Sequence, residues 1–518
     1  MSLRVRLARF LVCLCSAFSG VGIARAQEAH SLNLPASFQR VKQEIAAGGV
    51  GRIAVIGDSL SVKDGAWVSP YRVALQAIHG DAGAGYTGFG TRNGVDLPAQ
   101  WAGGASDVDI APFRGLDGLW SAAASGPSAH LPAPSRVVEL HYAREPGAGM
   151  FRIRRATDYT IIATLDCNNP APGLGTWAYS LPLNEHGLRI EPLGAQQITI
   201  LGYDNASFSP GVRVHRIANG GYGVRNYLQR DWTFDAQLSC LDPHLIYIWL
   251  GQNDQGLEFS GFYTKMGELV DRVQAAAPNA SIVLVGTYNQ GSVYLPPIIQ
   301  ATLAVAQERS LGFINLFEAA GYPEYFQDNY YLADTVHFNT AGSAYIAQIM
   351  TEAFETGGES LVTSIAMHPR STIYPLGETL EFSLEVARDL QTLSIQWRKD
   401  GQPLAEGAGY AGTQSPVLAI TANSLSQAGQ YDAVVTTNWG VETTRFATLR
   451  LQALPACAGD ANGDGVTSFD DITSVLTNWG RYYSRTTFLI GPGDADLDAD
   501  VDFDDMTQVI VAWGQACP

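Results

Sequence analysis

Ile53-Ala54-Val55-Ile56-Gly57-Asp58-Ser59-Leu60-Ser61 is the stretch on which the fold turns. Four apolar residues run into a glycine, an acid and a serine. The run lacks the polar alternation of a half-exposed strand, so it reads as a strand of a parallel sheet, buried on both faces. Open α/β sheets bind their ligands outside the carboxyl ends of the strands. Ser59 stands just past such an end. If it is a nucleophile, the rest of the chain must supply a base, an orienter for the base and donors for an oxyanion.

Outward from this strand the α/β pattern is recognisable. Residues 37–47 read as a short helix leading into it. After Ser59, Tyr71, Ala74, Leu75 and Ile78 recur at helical spacing over 70–78. Gly80-Asp81-Ala82-Gly83-Ala84-Gly85-Tyr86-Thr87-Gly88-Phe89-Gly90 follows. It lacks the lysine of a P-loop and no strand feeds it, so it reads as a glycine-rich loop and not a phosphate cradle. From 95 to 211 helical periodicity vanishes. Short β-type runs at 137–142, 149–153, 159–165, 187–190 and 197–201, punctuated by Gly and Pro, predict an inserted β-sandwich. The α/β pattern resumes at 212–217, followed by the loop Ala218-Asn219-Gly220-Gly221-Tyr222-Gly223 and a helix over 224–230. Leu245-Ile246-Tyr247-Ile248-Trp249-Leu250 is another buried strand, ending in Gly251-Gln252-Asn253-Asp254. A helix at 262–277, strands at 281–286 and 313–316, and a helix at 340–354 complete the pattern. Asp334-Thr335-Val336-His337-Phe338-Asn339 precedes that last helix. Alternation of strand and helix predicts a parallel sheet covered on both faces.

The chemistry-bearing residues fall on loops that share one edge of this sheet. Ser59 is the candidate nucleophile, His337 the base, and Asp334 the group that holds the imidazole. Asn253 offers a side-chain amide from another strand end, and the glycine loop before 224 offers a backbone N–H. Asp58 reads as a loop-fixing residue and Asp254 as a helix N-cap. Gly220 and Gly221 read as turn formers. His79, His130, His141, His186, His215 and His244 are scattered without metal-ligand spacing and read as packed or exposed.

Gly57-Asp58-Ser59-Leu60, the Asn-Gly-Gly loop, Gly251-Gln252-Asn253-Asp254 and Asp334-Thr335-Val336-His337 stand in the order of the four blocks of the SGNH/GDSL hydrolases, which this part of the chain resembles. The resemblance implies a flavodoxin-like fold, with Ser59 as nucleophile, His337 as base and Asp334 as its partner. It implies an oxyanion hole from the N–H groups of Ser59 and Gly223 and the Asn253 amide, its Gly-x-x-Gly pattern selecting Gly223 over Gly220. The β insertion and the Gly-Asp-Ala-Gly loop are similar to the subset that removes O-acetyl groups from peptidoglycan and other polysaccharides.

Past Gly357-Gly358, residues 361–453 read as strands only. Trp397 on one strand, the turn Lys399-Asp400-Gly401, and Tyr431 opening a later strand resemble an immunoglobulin-type sandwich, without cysteines for its disulfide. The tail repeats itself. Asp460-Ala461-Asn462-Gly463-Asp464-Gly465-Val466-Thr467-Ser468-Phe469-Asp470-Asp471 recurs as Asp494-Ala495-Asp496-Leu497-Asp498-Ala499-Asp500-Val501-Asp502-Phe503-Asp504-Asp505. The repeat resembles a dockerin, a pair of EF-hand-type calcium loops. The likeness implies Asp460, Asn462, Asp464, Val466 through its carbonyl, Ser468 and Asp471 as one ligand set. Asp494, Asp496, Asp498, Asp500 through its carbonyl, Asp502 and Asp505 form the other. Ala499 departs from the glycine that suits the turn at that position. Helices with one apolar face follow each loop, through Ile472, Val475, Leu476 and Trp479, and through Met506, Val509, Ile510 and Trp513. A dockerin implies a cohesin-like partner.

Composition bounds the remainder. The 518 residues exceed one ordinary domain, and the net charge of −18 argues against nucleic acid, which needs a basic face. Half of that excess falls from Cys457 onward, where acids outnumber Arg481 and Arg485, which suggests a cation site or a solvated tail. Arg4, Arg6 and Arg9, an apolar run over 10–23 and Ala24-Arg25-Ala26 read as a signal peptide and not a transmembrane anchor. Four cysteines lie beyond it. Cys457 and Cys517 bracket the tail and are expected to pair, which leaves Cys167 for Cys240. The expected organisation is multidomain: signal peptide 1–26, hydrolase 27–94 and 212–357 interrupted by the insertion 95–211, Ig-like domain 361–453, and calcium module 456–518. The expected function is an exported serine esterase, needing no cofactor for catalysis, that acts on O-acyl groups of a polysaccharide. A non-catalytic glycan-binding or surface-assembly protein on the same scaffold and a lipase-like esterase are the alternatives.

Overall fold

The strand Val50–Gly57 lies inside a six-stranded sheet, between Gly211–Ala218 on one side and Leu245–Trp249 on the other. Ser281–Gly286, Gly312–Asn315 and the short Ser31–Leu32 follow outward. Pairing is parallel except at Ser31–Leu32, which runs antiparallel along Gly312–Asn315. Counted along the chain, the five parallel strands stand in the order 2-1-3-4-5, the flavodoxin-like arrangement. Its switch point lies between the first and third strands, beside the carboxyl end of Val50–Gly57.

The computed structural model describes residues 31–62, 66–88, 91–92, 95–96, 100–101, 114–117, 121–123, 129–132, 136–183, 185, 187–361, 365–375, 377–386, 391–437, 440–452, 459–462, 466–480, 493–496 and 501–514. They fall into two compact units, Met1–Ala320 with Tyr331–Val362, and Gly321–Tyr330 with Thr363–Pro518. Among the described residues no helix is long and apolar enough to cross a membrane.

In the first unit the helices expected near 37–47, 70–78, 262–277 and 340–354 are Leu34–Ala46, Val68–His79, Phe259–Ala276 and Thr340–Thr356. Two more long helices are present, Trp232–Leu241 and Leu295–Glu308, with the one-turn helices Ser59–Val62 and Leu316–Ala319. Leu245–Trp249 is buried at every position, as a run without alternation requires. Ile246, Ile248 and Leu284 pack with Phe262, Met266 and Ile298 of the covering helices in one apolar cluster. Each such side chain contributes about 1.5–3 kcal/mol by leaving water, so the edge carrying Ser59 rests on a stiff base.

Among the described residues the insertion carries two large antiparallel sheets. One runs Ile161–Asp166, Met150–Arg155, Gly187–Leu193, Ala129–Pro132, Gln100–Trp101; the other Gly173–Ser180, Val137–Arg144, Ile198–Ala206, Gly85–Thr87. Both face a core containing Leu140, Phe151, Ile190 and Ile200. The glycine-rich stretch explains itself here. Gly85 opens a strand of the insertion at φ +86°, and a Cβ on it would lie 2.1 Å from the Val214 carbonyl oxygen; at Gly83 it would lie 2.3 Å from that of Asn205. The glycines allow two backbones to touch.

The expected Cys167–Cys240 pair is corrected. Both cysteines are free. Cys167 is buried in the core of the insertion, while Cys240 sits exposed in the last turn of Trp232–Leu241, against Glu139 and His141. Cys457 and Cys517 lie outside the described residues.

In the second unit a six-stranded and a three-stranded sheet enclose one core around Trp397, Tyr431, Phe382 and Leu418. The polar tips of the two large aromatics are satisfied internally. Trp397 Nε1–H donates to the Ser415 carbonyl (2.8 Å) and Tyr431 O–H to that of Gln427 (2.5 Å). The segment Gly321–Tyr330 belongs to this unit. Its Asp328 accepts from Arg450 and from Ser371 Oγ–H. The tail helices Phe469–Asn478 and Phe503–Val511 bury Val475 and Val509 around Ala461, Ala495 and Val501. Leu476, Trp479, Ile510 and Trp513 of the expected apolar faces are about half exposed.

Candidate active site

Two loops bring Ser59, His337 and Asp334 together, and two more carry Asn253 and Gly223. Ser59 begins a one-turn helix, Ser59–Val62, directly after the central strand. Its Oγ–H donates to His337 Nε2 at 2.8 Å. His337 Nδ1–H donates to Asp334 Oδ2, also at 2.8 Å. Asp334 Oδ1 accepts the N–H groups of Val336 (2.8 Å) and His337 (2.7 Å), so one carboxylate both shapes the loop and fixes the imidazole. Partial burial works against its charge, yet those two N–H groups and the imidazole hold the carboxyl down at about 2. It is therefore ionised at any working pH. The loop is pinned from behind, where Tyr288 O–H donates to the Val336 carbonyl (2.5 Å) and the Tyr288 ring lies 4.6 Å from that of Phe338.

Asp58 stands beside the nucleophile, fully buried, its Oδ1 accepting from Leu60 N–H (2.9 Å). Its Oδ2 has no hydrogen-bond partner. Burial, opposed by the Leu60 N–H and aided by the nearby Asp254 charge, raises its carboxyl to about 7. This matches the expected role of shaping the turn.

Asn253 is exposed at its strand end, and one N–H of its amide donates to the Tyr222 carbonyl (2.9 Å). An amide carries two such donors, so one is left for a ligand. Gly223 N–H donates to Asn226 Oδ1 (2.9 Å) in a capping arrangement. A Cβ on Gly223 would lie 2.3 Å from Asp254 Oδ1, so only glycine fits there. Asp254 corrects one expectation. It does not cap the helix that follows it, which begins at Phe259 behind Glu258. It accepts instead from Val224 N–H (3.1 Å), tying the glycine loop to the Asn253 loop. Burial raises its carboxyl to about 6. The sequence held no local signal for this bridge, because its partner lies on another strand's loop.

In the tail, Asp471 Oδ1 and Oδ2 accept from Asn462 N–H (3.0 Å) and Ser468 N–H (2.7 Å). Asp505 Oδ1 and Oδ2 accept from Asp496 N–H (3.1 Å) and Asp502 N–H (2.8 Å). Carboxylate oxygens of Asp494, Asp496 and Asp505 lie within 4.8 Å of one another. Asp460 and Asp494 are buried at the loop starts. Asp464, Asp498 and Asp500 lie outside the described residues.

Residues 202–345 match the GDSL-like Lipase/Acylhydrolase family; that span holds Gly223, Asn253, Asp334 and His337. No curated protein matches the sequence. Among solved structures, a peptidoglycan O-acetylesterase superposes with a TM-score of 0.53 at 19% identity, covering 63% of this chain and 97% of its own. Titin domain M4 (28% identity, 17% of this chain, 92% of its own) and tandem Ig repeats of Dlar (18%, 17% and 46%) each superpose with a TM-score of 0.15, too small an overlap to fix a fold. The first unit thus shares its fold with the O-acetylesterase, and its residues 202–345 are similar to the GDSL-like acylhydrolases.

Proposed function

We propose that the chain is an exported serine esterase that removes O-acyl groups, acetyl foremost, from a polysaccharide. One observation carries this reading: the unbroken 2.8 Å chain from Ser59 through His337 to an ionised Asp334 at the switch point of the sheet. Ser59 Oγ attacks the ester carbonyl while His337 Nε2 takes its proton. Asp334 stabilises the imidazolium. The second Asn253 N–H and, once Asn226 releases it, Gly223 N–H steady the developing oxyanion. The imidazolium returns the proton to the departing sugar oxygen, leaving an acyl-Ser59. Water, deprotonated by His337, then releases the acid. The shared fold with a peptidoglycan O-acetylesterase supports a small acyl group.

Acetate release is expected from acetylated polysaccharides. On p-nitrophenyl esters kcat/KM is expected to fall about tenfold or more from acetate to octanoate, because a small pocket rejects added methylenes. A profile rising toward octanoate would replace this reading by the lipase-like one. Binding of acetylated glycan without any turnover would replace it by the scaffold reading.

The Ig-like assignment of 361–453 rests on the Trp397 and Tyr431 core. The tail is read as two calcium loops that dock a cohesin-like partner. Clustered acids with backbone-held Asp471 and Asp505 fit a hard cation that takes oxygen ligands. Asp460, Asn462, Asp464, Val466, Ser468 and Asp471 would hold one ion; Asp494, Asp496, Asp498, Asp500, Asp502 and Asp505 the other. Calcium at a hundredfold excess over its Kd is expected to stabilise the module by about 2.7 kcal/mol per site. The check is a rise in melting temperature that a chelator reverses; no shift at millimolar calcium removes the assignment.

A further inference from the structure

We infer that Glu139, His141 and Cys240 form a binding site for a borderline divalent metal ion of the zinc class, clamping the insertion to the hydrolase helix beside it. The pleat of Val137–Arg144 puts Glu139 and His141, two residues apart, on one face. The helix Trp232–Leu241 lies against that face, and Gln237 and Cys240, three apart, point at it. Cys240 Sγ lies 3.5 Å from Glu139 Oε1 and 3.9 Å from His141 Nε2, and those two atoms are 3.9 Å apart.

Tetrahedral zinc with Zn–S of about 2.3 Å and Zn–O and Zn–N of about 2.0 Å separates its ligand atoms by roughly 3.3–3.6 Å. The S–O separation already falls in that range, and the other two need to close by a few tenths of an ångström. One sulfur, one imidazole and one carboxylate are a donor set for zinc, whereas calcium and magnesium take oxygen ligands. The exposed thiol and the partly exposed carboxylate leave a fourth position open to water and a way in for the ion.

The acylhydrolase mechanism uses none of these residues. On binding, the thiol gives up its proton to solvent as the metal–sulfur bond forms, and the neutral imidazole offers its Nε2 lone pair. One adjustment is required. Gln237 Nε2–H now donates to His141 Nδ1 (3.2 Å), while Gln237 Oε1 is buried with no hydrogen-bond partner. Turning the amide over sets that oxygen against Nδ1–H, the usual support of a metal-bound imidazole.

The test is a cobalt titration of the full chain, reduced, stripped of metal and saturated with calcium. One equivalent of Co2+ is expected to bring up a thiolate-to-cobalt charge-transfer band with the intense visible bands of a tetrahedral ion, and Zn2+ should displace both. Cys240→Ala, at an exposed position, is expected to keep the metal-free melting temperature and lose the charge-transfer band. Glu139→Gln is expected to weaken cobalt binding by about tenfold or more. The oxygen ligands of the tail give no thiolate band, and a band from the reduced Cys457 or Cys517 would survive in Cys240→Ala. Absence of the band in the parent chain, or its survival in Cys240→Ala, overturns the site.

Discussion

Ser59→Ala is expected to reduce ester hydrolysis by about 10^4-fold or more, with the melting temperature unchanged. Alanine keeps the backbone turn that Asp58 shapes through Leu60 N–H, and removes only the half-buried hydroxyl that faces His337. Without the oxygen no acyl-enzyme can form. What remains is polarisation of the carbonyl by the oxyanion donors, which acts on water poorly. The measurement is p-nitrophenyl acetate turnover, together with acyl transfer to the protein followed by mass. A variant within a hundredfold of the parent would remove Ser59 from the nucleophile's role.

Asp334→Asn is expected to cost about 10^3–10^4-fold in kcat, with KM little altered. Asparagine can still accept from Val336 and His337 N–H, so the loop keeps its shape. Its amide N–H, however, would face His337 Nδ1. The imidazole would then carry its proton on Nε2 and present Ser59 with a donor where it needs an acceptor. The parent pH profile tests the carboxylate. Asp334, held down at about 2, is ionised across any profile that keeps the protein folded, so it contributes no step to the acidic limb. An ionisation between pH 3 and 5 that disappears in Asp334→Asn, or an Asp334→Asn variant within tenfold of the parent, would show that Asp334 does not hold the base.

The sheet and its polar edge were legible because their signals are local. Runs without alternation announce strands buried on both faces; Ser59 and Asn253 lie within a few residues of a strand end, and His337 lies just before the helix Thr340–Thr356. The helices Trp232–Leu241 and Leu295–Glu308 were not legible for an equally local reason. Leu295–Glu308 buries one broad face, with Ile298, Ile299, Thr302, Val305 and Ala306 inside, but its other face carries a single charge, Glu308, beside prolines, alanine and glutamines, so the stripe has little contrast in the sequence. Its Pro296-Pro297 reads as a breaker, although proline at a helix start is a beginning. Trp232–Leu241 carried one usable sign, Asp231, which accepts from Thr233 N–H at 2.9 Å as an N-cap. Other features exist only in three dimensions. Nothing in the spacing of Glu139, His141 and Cys240 foretells their meeting, and the Asp254–Val224 bridge joins two loops that the chain separates.

The insertion enters and leaves the hydrolase at one point. Val212 N–H donates to the Gly80 carbonyl (2.9 Å) and Ala82 N–H to that of Val212 (3.3 Å). The central strand finds both its neighbours only after this insertion has been made, a wide loop whose closure disfavours early pairing. A sandwich that folds by itself draws its two ends together and removes most of that cost. During synthesis the insertion is expected to consolidate first and to deliver Gly211–Ala218 next to Val50–Gly57, whereas Ser59 meets His337 only when the last segment of the hydrolase arrives. The nascent chain therefore holds no complete nucleophile–base pair until the hydrolase is whole.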